Sequence, residues 1–283
     1  MYGSGSLSKP FEGIENTIMT KDGTKIYALE AGKGEKTIVL AHGYGFTSQE
    51  WNVIAPQLVQ LGYRVIAFDQ RGHGKSSIGS DGISSLSMAS DYKSVFEFYD
   101  IQNATLVGHS MGGFLAMKFM LDYPEMLQTR IKNCVLMATF AGDVNKNNFQ
   151  NRLQIPLIKS GILLNLIKIK AIGNAFVKSL LGENPDNEVI RVFSEIFQAQ
   201  NHKALIPILE AFGNENYYSQ LYKITVPCTV IIGSRDKTTP PFHSEDLARL
   251  IPNSKKIVIN NKGHGLNWEA PESIVQEIIA LNS

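Results

Sequence analysis

This chain of 283 residues is short of charge imbalance, of cysteine and of long apolar runs. Each absence removes a class of function. With 27 basic and 26 acidic side chains the formal net charge is +1, so no global field draws nucleic acid or acidic partners. The two cysteines, Cys134 and Cys228, each sit inside an apolar run. They match no zinc spacing and make no disulfide framework, so they read as small core residues. No run reaches the roughly 18 apolar residues that suggest a membrane span. Met1 to Pro10 is rich in Gly and Ser without an apolar core segment, so it does not read as a signal peptide, and a soluble, cytoplasmic protein is expected. There is no internal repeat, no low-complexity tract and no Walker-spaced phosphate loop, and no metal or cofactor is expected. What remains is a chain that is 43% hydrophobic, enough for a large core in one domain with or without an insertion.

The most informative stretch is Leu106-Val107-Gly108-His109-Ser110-Met111-Gly112-Gly113. Its centre fits Gly-x-Ser-x-Gly, in which a strand turns sharply into a helix and presents a serine hydroxyl at the tip. The flanks suit that turn. Thr105-Leu106-Val107 is a short strand-like run, and Phe114 to Leu121 is a helix-forming run that stops before Pro124.

Strand-like and helix-like runs alternate along the chain. Ile14–Met19 and Lys25–Glu30 flank the turn signal Lys21-Asp22-Gly23, which predicts an antiparallel hairpin. Strands are predicted at Thr37–Ala41, Arg64–Phe68, Ala104–Val107, Asn133–Ala138, Cys228–Ile232 and Lys255–Ile259. Helices are predicted at Glu50–Leu61, Met88–Tyr99, Met111–Leu121, Ser244–Leu250 and Pro271–Leu281. This order implies an α/β fold with a doubly wound parallel sheet. The alternation stops between Gly142 and Tyr222, a stretch helical in character with breakers at Pro156, Gly161, Gly173, Pro185 and Pro207. Residues 1–141 and 223–283 are therefore expected to form the core, and residues 142–222 a helical cap over the carboxyl ends of the strands, where ligands bind in open α/β sheets.

A serine hydroxyl is a poor nucleophile at neutral pH. It needs a neighbouring base, and the base needs an orienting acid. Asp236 follows the strand Cys228–Ile232, and His264 follows Lys255–Ile259, which gives the order Ser, Asp, His. Asp143 is a rival acid, and Asp236 could instead cap the helix beginning near Pro240. The developing oxyanion needs two backbone donors. Met111 N–H supplies one, and Tyr44 N–H in the loop Ala41 to Phe46 is the candidate for the second, with Gly43 as the weaker alternative. His42 and His109 read as hydrogen-bonded scaffold. Asp69 to Ser76, dense in charge and glycine, reads as a salt-bridged loop bracing the floor of the site.

Taken together, His42-Gly43-Tyr44-Gly45, Asp69 to Ser76, Gly108 to Gly113, Asp236 with Pro240, and Gly263-His264 followed by Glu269-Ala270-Pro271-Glu272 resemble the α/β-hydrolase superfamily. The resemblance implies an eight-stranded, mostly parallel sheet with a mobile helical lid. Within the superfamily, Gly-His-Ser-Met-Gly-Gly is most similar to carboxylesterases and monoacylglycerol-type lipases. It implies a serine hydrolase cleaving a small- or medium-chain carboxylic ester, with Ser110 as nucleophile, His264 as base, Asp236 as orienting acid, and Tyr44 and Met111 as the oxyanion hole. Hydrolysis of a C–C, lactone or thioester bond, or perhydrolysis, would use the same triad. A ligand-binding receptor that keeps the triad is a reading from another class. Haloalkane dehalogenases and epoxide hydrolases place aspartate where Ser110 stands, which disfavours those reactions.

From Val144 to Gly182 there are six basic residues, Lys146, Arg152, Lys159, Lys168, Lys170 and Lys178, and no Asp or Glu. The expected arrangement packs the apolar face of the cap on the sheet and leaves the lysines in water. A weak contact with a membrane surface is the alternative. The expected partner is a small-molecule ester with an apolar acyl part, not nucleic acid, and nothing in the sequence sets the oligomeric state.

Overall fold

The apolar runs between turn signals form one eight-stranded sheet in the computed structural model, which describes residue 7 and residues 9–283. Most of the amino-terminal stretch 1–10, read above as no signal peptide, lies outside the described residues. The strands are β1 (Ile14–Met19), β2 (Lys25–Ala31), β3 (Thr37–Ala41), β4 (Arg64–Phe68), β5 (Ala104–His109), β6 (Ile131–Met137), β7 (Cys228–Gly233) and β8 (Ser254–Ile259). Their spatial order is β1-β2-β4-β3-β5-β6-β7-β8. The β1–β2 and β2–β4 pairs are antiparallel and the others parallel. Every residue of β3, β5 and β7 is buried, as expected of parallel strands covered on both faces. The chain leaves β3 towards β4 and returns on the other side to β5. Neighbouring strand ends therefore send their loops apart and open a crevice at the β3/β5 boundary. The two cysteines are buried, unpaired neighbours in the β6–β7 register.

The predicted helix Glu50–Leu61 is corrected. The chain makes a short 3-10 turn, Ser48–Trp51, and then α1 (Ile54–Gln60). Pro56 accounts for the break. In a continuous helix it would sit inside, without an N–H and with its ring against the carbonyl of Asn52. Starting at Ile54 moves it into the first turn, where prolines are tolerated. Helix α2 (Ser85–Phe98) starts three residues earlier than predicted because Ser84 and Ser87 form a reciprocal capping box. It is followed by α3 (Met111–Asp122) and by α4 (Pro124–Arg130), which the reading above left out. Pro124 ends one helix and opens the next.

Between β6 and β7 lie α5 (Phe149–Lys159), α6 (Ile162–Leu166), α7 (Lys170–Leu180), α8 (Asn187–Gln198) and α9 (Ile206–Asn214), then a 3-10 turn Tyr218–Lys223. Pro156 and Gly173 do not break it, since they lie inside α5 and α7. Gly161 and Pro207 do mark boundaries, one before α6 and one in the first turn of α9. Ile158, Ile167, Val177 and Phe193 pack inward. Against the expected simple amphipathic arrangement, Phe149 is 81% exposed and Leu153, Ile162, Leu166 and Ile169 are also exposed. The chain closes with α10 (Pro241–Leu250), α11 (Leu266–Glu269) and α12 (Pro271–Asn282). Among the described residues no helix is long and apolar enough to cross a membrane.

Candidate active site

Ser110 stands on the turn from β5 into α3 with φ 52° and ψ −117°, a left-handed geometry that costs a non-glycine residue about 1–3 kcal/mol. The surroundings hold it there. Its N–H donates to the Met137 carbonyl at 2.9 Å, and Thr139 Oγ1–H donates to its carbonyl at 2.6 Å. The motif's glycines are forced by space. A Cβ on Gly108 would lie 2.6 Å from the Gly112 carbonyl, and one on Gly112 would lie 2.2 Å from that of Ala41.

The loops after β7 and β8 bring the predicted partners to the serine. Ser110 Oγ lies 3.0 Å from His264 Nε2, and His264 Nδ1 lies 2.9 Å from Asp236 Oδ2. The carboxylate is filled with donors. Oδ1 accepts from Thr238 N–H and Thr239 N–H, and Oδ2 accepts from Thr239 Oγ1–H. A carboxylate next to Nδ1 sets the tautomer, with Nδ1–H donating and Nε2 left to accept from the serine hydroxyl. All three side chains are buried. Asp236 caps its own loop, and α10 begins after Pro240 without a side-chain cap. Asp143 forms no hydrogen bond to His264 among the described residues.

The loop after β3 crosses in front of the serine. Gly43 N–H is taken by Glu50 Oε2 at 2.9 Å, which removes the weaker oxyanion candidate. Tyr44 N–H and Met111 N–H donate to no acceptor among the described residues. Met111 opens α3, whose first N–H groups have no partner within the helix. The Tyr44 hydroxyl donates to His202 Nδ1 at 3.0 Å, while His202 Nε2–H donates to the Phe197 carbonyl at 2.7 Å. This ties the loop to the connection between α8 and α9. His42 accepts Gln70 N–H at Nε2, and the next residue, Arg71, bridges Asp22 and Asp91.

The serine opens into a cavity of about 100 Å³. Its walls are mostly apolar, with Phe140 and Val144 after β6, Ile155 and Ile158 on α5, Phe193 on α8 and Leu209 on α9. None of its described lining residues is Lys, Arg, Asp or Glu.

Three residues that shape this geometry were given no role by the sequence. Thr239 holds the Asp236 carboxylate. Glu269 accepts from Gly182 N–H and Gly263 N–H, fixing the strand end that carries His264 to the turn after α7. Burial raises the Glu269 carboxyl above its ordinary range, against those donors. Glu50 links Gly43 to His109.

A family model described as the alpha/beta hydrolase fold matches residues 36–160 and 177–271. A 2-hydroxy-6-oxononadienedioate/2-hydroxy-6-oxononatrienedioate hydrolase of Paraburkholderia phymatum is 30% identical over 90% of this chain and 90% of its own. A bifunctional esterase/perhydrolase of Acinetobacter calcoaceticus is 25% identical over 93% of this chain and 98% of its own. The crystal structure of a bromoperoxidase from Bacillus anthracis matches with a TM-score of 0.83 at 26% identity, covering 95% of this chain and 99% of that one.

Proposed function

The chain belongs to the α/β-hydrolase family, and from that premise we propose that it is a serine hydrolase cleaving uncharged small- or medium-chain carboxylic esters. The observation that carries this reading is the chain of contacts from Ser110 through His264 to Asp236, opening into an apolar cavity. In the proposed reaction Ser110 Oγ attacks the ester carbonyl carbon while its proton passes to His264 Nε2. Tyr44 and Met111 N–H groups donate to the carbonyl oxygen as negative charge grows on it. His264 returns the proton to the alcohol oxygen, the C–O bond breaks, and the acyl group stays on Ser110. Water repeats the steps and releases the acid. Asp236 keeps Nδ1–H in place and stabilises the imidazolium.

The lining supports an uncharged substrate. A carboxylate buried without a partner costs several kcal/mol. The dicarboxylate in the name of the Paraburkholderia relative would meet no cation among the lining residues. The name of the Acinetobacter relative favours a second acceptor, hydrogen peroxide attacking the same acyl-enzyme in place of water and yielding a peracid. The test is a panel of nitrophenyl esters of rising acyl length, with matched esters bearing a terminal carboxylate. We expect kcat/KM to rise to medium chains and then fall, with the carboxylate costing about tenfold or more. Equal turnover of the charged esters, or none of any ester, would contradict the proposal.

We also propose that the exposed apolar side chains of α5 and α6, with the surrounding excess of Lys and Arg over 144–182, let these helices meet an anionic lipid surface weakly.

A further inference from the structure

Behind the serine lies a buried pair that the reaction above does not use. His109 precedes Ser110, and both its ring nitrogens face acceptors. Nδ1 lies 2.7 Å from Glu50 Oε1, and Nε2 lies 2.8 Å from the His264 carbonyl oxygen. The second Glu50 oxygen accepts Gly43 N–H. Glu50 and His109 are each 1% exposed.

Counting protons fixes the state of this pair. A carbonyl only accepts, so Nε2 carries a hydrogen. Nδ1 and the carboxylate would repel at 2.7 Å unless a second proton lies between them. Glu50 and His109 therefore share one proton and are neutral as a pair. The other groups around His109 do not supply it. The His264 ring is 4.9 Å away, centroid to centroid, with its nitrogens committed to Ser110 and Asp236. His42, from the loop after β3, accepts Gln70 N–H at Nε2 and lies against the Gly43 carbonyl at Nδ1. Burial pushes the His42 ring down, against the charges of Asp69 and Glu50. Burial alone would also lower His109, but the charge and hydrogen bond of Glu50, helped by the His264 carbonyl and the more distant Asp236, hold its proton above the usual histidine range.

Three loops of the site converge on this pair. Glu50 holds the oxyanion loop through Gly43, His109 adjoins the nucleophile, and its Nε2–H holds the backbone of the base. The packing is tight, since a Cβ on Gly43 would lie 3.0 Å from His109 Nδ1. We propose that Glu50 and His109 are positioning residues that lock Tyr44 N–H, Ser110 Oγ and His264 Nε2 in register, and that the lock holds only while the pair keeps its shared proton. The proposal rests on the reading of Ser110 as nucleophile. The contribution of the proton is present at low and neutral pH and is lost as pH rises through the raised His109 value.

The experiment compares wild type, Glu50→Gln and His109→Gln for kcat, KM and their pH dependence, with circular dichroism to confirm folding. Glutamine at position 50 cannot accept from both His109 and Gly43 through the same pair of oxygens. Its kcat should fall about 10²-fold, the cost of a small misplacement, with KM within about twofold. Its alkaline limb should move down by about one pH unit or more, because the carboxylate that holds the proton is gone. His109→Gln should be slower than wild type and lack that limb. In nitrogen NMR of the wild type both His109 ring nitrogens should be protonated at neutral pH, and this readout stands even if a variant fails to fold. A Glu50→Gln enzyme with wild-type kcat, a slower one whose limb has not moved, or a wild-type His109 with one bare nitrogen would each overturn the proposal. Ser110→Ala separates the two readings. Full activity there overturns the serine mechanism itself, whereas an inactive Ser110→Ala beside an unaltered Glu50→Gln overturns this inference alone.

Discussion

The strand ends and the helices between β6 and β7 face each other across one cavity and are built on opposite rules. On the sheet side, position is set by backbone. Ser110 sits at a strained turn, the neighbouring glycines leave no room for a Cβ, and the Asp236 carboxylate is filled with donors. On the helical side, position is set by side-chain packing. The cavity wall is apolar, and Phe149, Leu153, Ile162, Leu166 and Ile169 face water. In the proposed reaction the difference separates reactivity from selectivity. There, fixed dipoles and a pre-aimed hydroxyl would decide whether a carbonyl is attacked. A wall of Phe, Ile and Leu would decide which carbonyl arrives, and such walls tolerate substitution.

The largest effect should come from the sheet side. Ser110→Ala should lose on the order of 10⁶ in kcat, because the three residues act as a unit. Its thermal midpoint should stay near that of wild type, since alanine keeps the same backbone turn and only the hydroxyl's contact with His264 is lost. Steady-state kinetics and calorimetry on the same preparation check both halves. A smaller effect of another kind should come from the helical side. Ile158→Phe, on the α5 wall, should take the space of about two methylenes from a medium-chain acyl group, roughly 1.5 kcal/mol or tenfold in kcat/KM. Acetate esters should be turned over as before. If short and medium esters fall equally, the wall is not the selecting element and the division between the two sides breaks down. The smallest effect should be at the outer face. Wild type should sediment weakly with vesicles containing anionic lipid, and Phe149→Ser with Leu153→Ser should release it without changing turnover of a water-soluble ester. No sedimentation on anionic vesicles would leave those side chains without a lipid partner.

The same division governs what could be read from sequence. The elbow is a local pattern, a strand, a glycine-flanked serine and a helix within about a dozen residues, so Ser110 is visible at once. Asp236 and His264 are visible by their place just past strands. Glu50 is not. Its importance depends on meeting His109, which is 59 residues away, and in the sequence it reads as the first turn of a helix that Pro56 does not allow. The roles of Thr239 and Glu269 were hidden too, since Thr239 acts through the Asp236 carboxylate in its own loop and Glu269 through Gly182, 87 residues away. In the helical segment the composition predicts helices correctly but only some of their breaks. Pro156 is accommodated within α5, whereas Gly161 takes up the left-handed conformation that separates α5 from α6. Which of its apolar faces lines the cavity and which meets water is set by packing between helices, and periodicity carries no record of that.

The central claim is that Ser110 is a nucleophile made reactive by His264. A fluorophosphonate probe followed by peptide mass spectrometry tests it most directly. The account predicts one adduct per chain, on Ser110, and a labelling rate at least about 10³-fold lower in His264→Gln. Labelling of another residue, or equal labelling of Ser110 with and without the His264 imidazole, would contradict it.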